Sequence, residues 1–131
     1  MTEATWYALR NFVFGRDFAA AEKLLAECPR LIDARDGLGE TVLHFLAVEN
    51  DMEGVSWLFA RGFSLNEKNK FGTPTIFEVA QLEYRELFTW FVHNGVDLSV
   101  RDRDGNDIVA NLLEYGKEGM AQFVATALRP H

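Results

Sequence analysis

Apolar residues in this chain come in short clusters, separated by polar stretches that carry glycine and Asp or Asn. Three of those stretches are Asp36-Gly37-Leu38-Gly39, Asn69-Lys70-Phe71-Gly72 and Asp102-Arg103-Asp104-Gly105. They read as turns, because glycine tolerates positive φ and Asx side chains cap turns and helix starts. After the first, the apolar spacing predicts a helix of about two turns, Thr41 to Val48. The polar break Glu49-Asn50-Asp51 then leads to a second helix from Met52 to Arg61. Gly62 and Gly95 stand where a helix end needs a left-handed cap. At the start of the chain, Ala8-Leu9, Phe12-Val13 and Phe14 give a first helix its apolar face. At the other end, a helix from Lys117 to Leu128 carries Met120, Phe123, Val124 and Leu128 at helical spacing.

The pattern repeats. Gly39, Gly72 and Gly105 fall at intervals of 33 residues, and Gly62 with Gly95 and Ala47 with Ala80 keep the same interval. So do the basic residues Arg35, Lys68 and Arg101, the pair Lys70 and Arg103, and the apolar pairs Leu58/Phe91 and Leu65/Leu98. No gap is needed to hold these columns in register. Helices shorter than about 12–15 residues are marginal alone in water. Units this small must therefore stack on their neighbours, which is the logic of a solenoid.

Within that frame, Gly39-Glu40-Thr41-Val42-Leu43-His44-Phe45-Leu46-Ala47 resembles the ankyrin-repeat signature G-x-T-P-L-H-x-A-A. Asn50 to Asn66, ending Arg61-Gly62-Phe63-Ser64-Leu65-Asn66, resembles that family's second helix and exit turn. The next unit runs from Gly72-Thr73-Pro74-Thr75-Ile76-Phe77 to Asn94-Gly95-Val96-Asp97-Leu98-Ser99, and the third opens at Asp102. Leu24-Leu25 and Pro29-Arg30-Leu31-Ile32-Asp33 resemble the end of an N-terminal repeat. Phe77 and Ala110 replace the signature His, Asp107 takes the Thr position, and Pro74 falls one place late.

The resemblance implies a mainly α fold: an ankyrin-repeat solenoid of about four helix-turn-helix units joined by short β-hairpin-like loops. The expected layout is one domain over 1–131, with capping repeats at 1–35 and 102–131 and full repeats at 36–68 and 69–101. Met1 and the closing helix lead us to expect a complete chain.

Composition narrows the class. The chain has 131 residues, 48% apolar and 25% charged, which fits a folded domain rather than a disordered one. Its single cysteine excludes an internal disulfide and fits a reducing, cytoplasmic setting. The net charge of -7 argues against a nucleic-acid or anionic-membrane binder. No apolar run approaches the roughly 20 residues of a membrane span.

Catalytic chemistry has few candidates. His44 looks the part, but the resemblance implies a structural hydrogen-bond hub between loop and helix. His93 lies near a helix end, where a cation suits the dipole, and His131 is in the tail. No pair has metal-ligand spacing, and Cys28 before Pro29 reads as a buried small residue at a helix end. Asp102 to Asp107 has the look of a calcium loop, but its sixth position is Asp107 rather than Gly and its twelfth is Leu113 rather than Glu. The expectation is no enzyme, no metal and no cofactor; a small-molecule or metal-dependent enzyme centred on His44 is the remote alternative.

Partner binding, by the resemblance, falls on a concave face made of the tips and the exposed flank of the first helices. The tip positions are Leu38, Glu40, Lys68, Lys70, Phe71, Arg101 and Arg103; the helix positions are Val48, Glu49, Gln81, Leu82, Glu114 and Tyr115. Leu38 and Phe71 share one column and Leu82 and Tyr115 another, so they are either anchors for a partner or contacts between neighbouring units. The bases in the tip columns are either a solvated ladder or a positive edge that meets an acidic strip. Trp57 and Trp90 form a column on the second helices, read as packing between repeats or as a second, convex interface. The functional expectation is a protein-binding module, monomeric on its own. The alternative is an immunity protein or inhibitor, as stand-alone ankyrin proteins of this size in bacteria resemble proteins that plug a cognate toxin.

Overall fold

A computed structural model describes residues 5–129. Eight helices follow one another in that span: α1 (Trp6–Phe14), α2 (Phe18–Glu27), α3 (Val42–Val48), α4 (Met52–Ala60), α5 (Thr75–Gln81), α6 (Arg85–His93), α7 (Ile108–Glu114) and α8 (Glu118–Leu128). A short 3-10 turn at Pro29–Ile32 follows α2. Consecutive helices pack in pairs, and the first helices of the pairs meet in series, α1 on α3, α3 on α5 and α5 on α7. The molecule is mainly α-helical.

Caps set where the helices begin. Thr41 Oγ1 accepts from the His44 amide at 3.2 Å and Asp107 Oδ1 from the Ala110 amide at 2.8 Å, so Asp does at α7 what Thr does at α3. Pro74, in the same column, offers no such cap. The start of α5 is tied instead by the Thr75 amide and hydroxyl, both donating to the Glu67 carbonyl at 3.0 Å. Between the helices of each pair the chain passes through one residue of positive φ: Arg16, Asn50, Glu83 and Gly116. Only the last is glycine. The second caps, at Gly62 and Gly95, lie at φ 96° and 86°.

The loops between pairs are tight turns, each closed by a backbone bond such as that from the Asn69 amide to the Thr73 carbonyl at 3.0 Å. Among the described residues there is no strand, only an isolated bridge between Lys68 and Pro74. The reason is local: each loop is closed by its own Asx side chain. Asp36 Oδ1 accepts from the amides of Leu38 and Glu40, Asn69 Oδ1 from those of Phe71 and Thr73, and Asp102 Oδ1 from those of Asp104 and Asn106. A backbone already satisfied inside a turn has little left to offer a ladder. The loops do stack. The Lys70 amide donates to the Leu38 carbonyl at 3.0 Å, and a Cβ at Gly39 would stand 2.6 Å from the Lys70 nitrogen.

The core runs through the whole series. Leu9, Leu43, Leu46, Leu58, Ile76, Phe77, Leu87, Phe88, Phe91, Leu112, Met120 and Val124 are fully buried. Phe77, 33 residues after His44, fills the corresponding place on α5 with a fully buried ring. On the second helices, aromatic pairs join neighbours: Phe18 stacks on Trp57 at 5.3 Å, Phe59 meets Trp90 edge-on at 5.5 Å, and Phe88 meets Phe123 at 5.9 Å. Both tryptophans are half-buried and engaged in these contacts. Phe14 departs from expectation. Trp6, Leu9 and Val13 form the inward stripe of α1, and Phe14, off that stripe, is exposed.

Candidate functional site

The loop tips and the ends of the first helices carry most of the expected binding residues, and the structure sorts them. Leu38 and Phe71 stand at the tips with 49% and 53% of their surface exposed. Leu82 and Tyr115 cap the C-termini of α5 and α7 and are 45% and 63% exposed. Glu49 holds the same place at the end of α3 and is also exposed. None of these four apolar side chains is buried by the neighbouring loop or helix. Apolar groups of this size left in water in repeated positions are what a binding face offers.

Several other positions are engaged within the molecule. Gln81 is half-buried and donates to Asn111 Oδ1 at 2.7 Å, linking α5 to α7. Val48 is half-buried, and its carbonyl accepts from the Tyr84 hydroxyl at 2.9 Å. Glu114 is exposed and accepts from Asn106 Nδ2 at 2.7 Å.

The basic tips are only partly free. Arg35 donates to the carbonyls of Gly39 and Lys68 and pairs with Glu67. Arg101 donates to the Gly105 carbonyl at 2.8 Å, and Arg103 reaches across to the Lys70 carbonyl at 2.8 Å. Arg35 and Arg103 tie adjacent loops together while Arg101 closes its own, because carbonyls left over by tight turns attract multi-donor cations. Lys68 and Lys70 are exposed, with the Lys70 ammonium 5.2 Å from the Phe71 ring. All five bases stay exposed and keep their charge; among them Arg35 is neutralised in part by its pair with Glu67.

Glu40 is corrected outright. It was expected at a tip, but its side chain is only 7% exposed. Its backbone explains the inward turn: the amide donates to Asp36 Oδ1 at 2.9 Å, and the carbonyl accepts from Trp6 Nε1 at 2.9 Å. The carboxyl then points at His44, whose Nε2 lies 3.6 Å from Glu40 Oε2 and 3.2 Å from Glu78 Oε2. Glu78 is held in turn by Asn69 Nδ2, which donates to its other oxygen at 2.8 Å. Burial pushes the Glu40 carboxyl above its usual range; His44 opposes that rise and Glu78 adds to it. His44 is fully buried, and its Nδ1 has no hydrogen-bond partner among the described residues. The imidazole thus makes fewer bonds than a hub between loop and helix implies. Sequence spacing missed this cluster because Glu78 lies 34 residues from His44, on another helix.

The remaining candidates are quieter. Asp102 turns its carboxylate onto its own loop and onto Asn111 Nδ2 at 2.8 Å. Burial pushes that carboxyl up, but the hydrogen bonds from Asn111, Asn106 and Asp104 outweigh it and hold it below the usual range. Cys28 caps α2 in a buried position, with Arg30 Nη1 2.6 Å from its sulfur. His93 lies in the last turn of α6, and His131 falls outside the described residues. No helix among the described residues is long and apolar enough to cross a membrane. Compared with protein-family models the chain has no match, and compared with curated proteins it has none either.

Proposed function

We propose that the chain is an ankyrin-type stack that acts in the cytoplasm as a non-enzymatic protein-binding module. Its partner is a folded protein, gripped by the loop tips and by the C-terminal ends of the first helices. One observation carries the reading: Leu38 and Phe71 in one column, and Leu82 and Tyr115 in another, stay in water while the other large apolar side chains of the same units, apart from Leu113 and Leu128, are packed. A partner that covers them gains roughly 25 cal/mol for each Å² of apolar surface removed from water. The rigid series of helix pairs holds the anchors in place before binding, which lowers the ordering cost of association.

The test is the double variant Leu82→Asp, Tyr115→Asp, compared with the unaltered chain in affinity purification with mass spectrometry. Both residues are exposed, so the melting temperature should stay within a degree or two. A partner enriched by the unaltered chain should vanish with the variant. Retention of that partner at equal yield sinks the assignment of this face.

A second reading narrows the partner to a basic toxin or enzyme that the chain blocks. It is favoured by the balance of charge. The arginines of the tips are bound to backbone carbonyls, while residues 36–68 alone carry six acids against two bases. A body with a net charge of -7 steers towards a cationic surface. Association with such a partner should slow steeply as salt rises; a salt-independent rate removes this reading and leaves the first.

A further inference from the structure

We propose that Glu40, His44 and Glu78 form a binding site for one divalent transition-metal ion, of which zinc is the natural probe. The proposal is independent of the binding-face reading, since it concerns the space between α3 and α5 rather than the exposed columns.

Geometry comes first. One ligand atom from each residue lies within 4.8 Å of the other two, with His44 Nε2 3.2 Å from Glu78 Oε2 and 3.6 Å from Glu40 Oε2. Three atoms so spaced share a point no more than about 2.4 Å from each, close to the roughly 2.0–2.2 Å of imidazole and carboxylate ligation to zinc. A small contraction completes the fit.

Satisfaction of polar groups points the same way. Glu40 is more than nine-tenths buried and aimed at His44 Nε2, yet its carboxylate accepts no hydrogen bond among the described residues. Two carboxylates converge on one imidazole, Glu40 from a largely buried position and Glu78 from one that keeps contact with water, and a cation shared by all three offsets the repulsion between the carboxylates. Glu78 is already oriented as a ligand: Asn69 Nδ2 holds Oε1, leaving Oε2 to face the site. The side chain of Glu78 keeps 21% of its surface in water, which gives an ion a way in and leaves coordination positions for water.

The donor set selects the class of ion. An imidazole with two carboxylates and no thiolate suits zinc and its first-row neighbours, whereas calcium and magnesium favour all-oxygen shells of six or more ligands. Among the described residues the site is also single. Thr73, Phe77 and Asn111 stand in the corresponding columns one period later, and they cannot supply the same ligands. One ion per chain is therefore expected.

The experiment titrates zinc chloride into chelator-stripped protein by calorimetry, with melting temperature as a second readout. One ion should bind per chain and raise the melting temperature as the zinc concentration increases. Glu40→Gln and Glu78→Gln keep the shape of the side chains and should each weaken binding by about 100-fold or more. Cys28→Ser and His93→Gln should leave it unchanged. In the unaltered chain, substoichiometric manganese should broaden the backbone NMR signals of Glu40, His44 and Glu78 before any others, which decides the matter even if a glutamine variant fails to fold. The proposal is overturned if millimolar zinc gives no stoichiometric binding, if both glutamine variants bind as tightly as the parent, or if the loss or the broadening centres on Cys28 or His93 instead.

Discussion

Glu83 shows what one position can store. It lies at φ 62° in the turn between α5 and α6, where Gly116 occupies the corresponding place one period later. A left-handed conformation costs a side-chain-bearing residue roughly 1–2 kcal/mol. Glu83→Gly recovers that cost, less about 0.4–1 kcal/mol for the freer unfolded chain. The exposed pair with Lys117 at 3.4 Å contributes little. Urea unfolding should therefore show a net gain of about 0.5 kcal/mol; a lower midpoint for Glu83→Gly would refute the strain. Asp102 tests the sign of an electrostatic effect. Its folded pKa is depressed, so its contribution is complete above the unfolded value of about 3.9 and is lost as pH falls through the folded value. Asn69 already fills the equivalent place in the preceding loop, so Asp102→Asn preserves the turn while removing the charge. The parent should be the more stable of the two at neutral pH, and the gap should close as the solution is acidified below pH about 4. A gap that persists at low pH contradicts the carboxylate's role.

At the scale of the element, short helices depend on their ends. Helix α7 has seven residues, and Asp107 supplies its only side-chain cap. Asp107→Ala should cost about 1 kcal/mol, measured as a shift in the denaturation midpoint. Helix α5 is of equal length and has Pro74 at its N-cap without such a bond; there the Thr75 hydroxyl, donating to the Glu67 carbonyl, ties the helix start instead. No comparable backup is seen at α7. A loss below about 0.3 kcal/mol would mean that packing alone holds this helix.

Across the whole molecule, the unit of stability is the contact between one helix pair and the next. Trp57 stacks on Phe18 from the preceding pair and lies beneath the Arg61 guanidinium, 3.9 Å from the ring centroid. Trp57→Ala removes both contacts and should destabilise by about 2–3 kcal/mol, somewhat less than for a fully buried aromatic. A loss under about 1 kcal/mol would instead mark the tryptophan column as a surface for another protein. The two ends of the series are less well covered than its middle. Tyr7 and Phe14 on α1, and Leu113 and Leu128 on α7 and α8, remain exposed.

Helix positions, turn residues and the apolar stripes were legible in the sequence because they depend on spacing along the chain. Thr41, Gly62 and Met120 act through neighbours a few residues away, and their places follow from helical periodicity and the left-handed cap. Tertiary structure alone decided which tip charges were free and which glutamates turned inward. Arg103 is engaged because the Lys70 carbonyl, 33 residues back, lies open beside it, and Glu40 is buried because Trp6 pins its backbone. The meeting of Glu40, His44 and Glu78 was equally out of reach, since it needs two helices to pack before the three side chains share one space. Local preferences act over a turn or two of chain, whereas a polar group's partner is set by whatever the stacked units bring within about 3 Å.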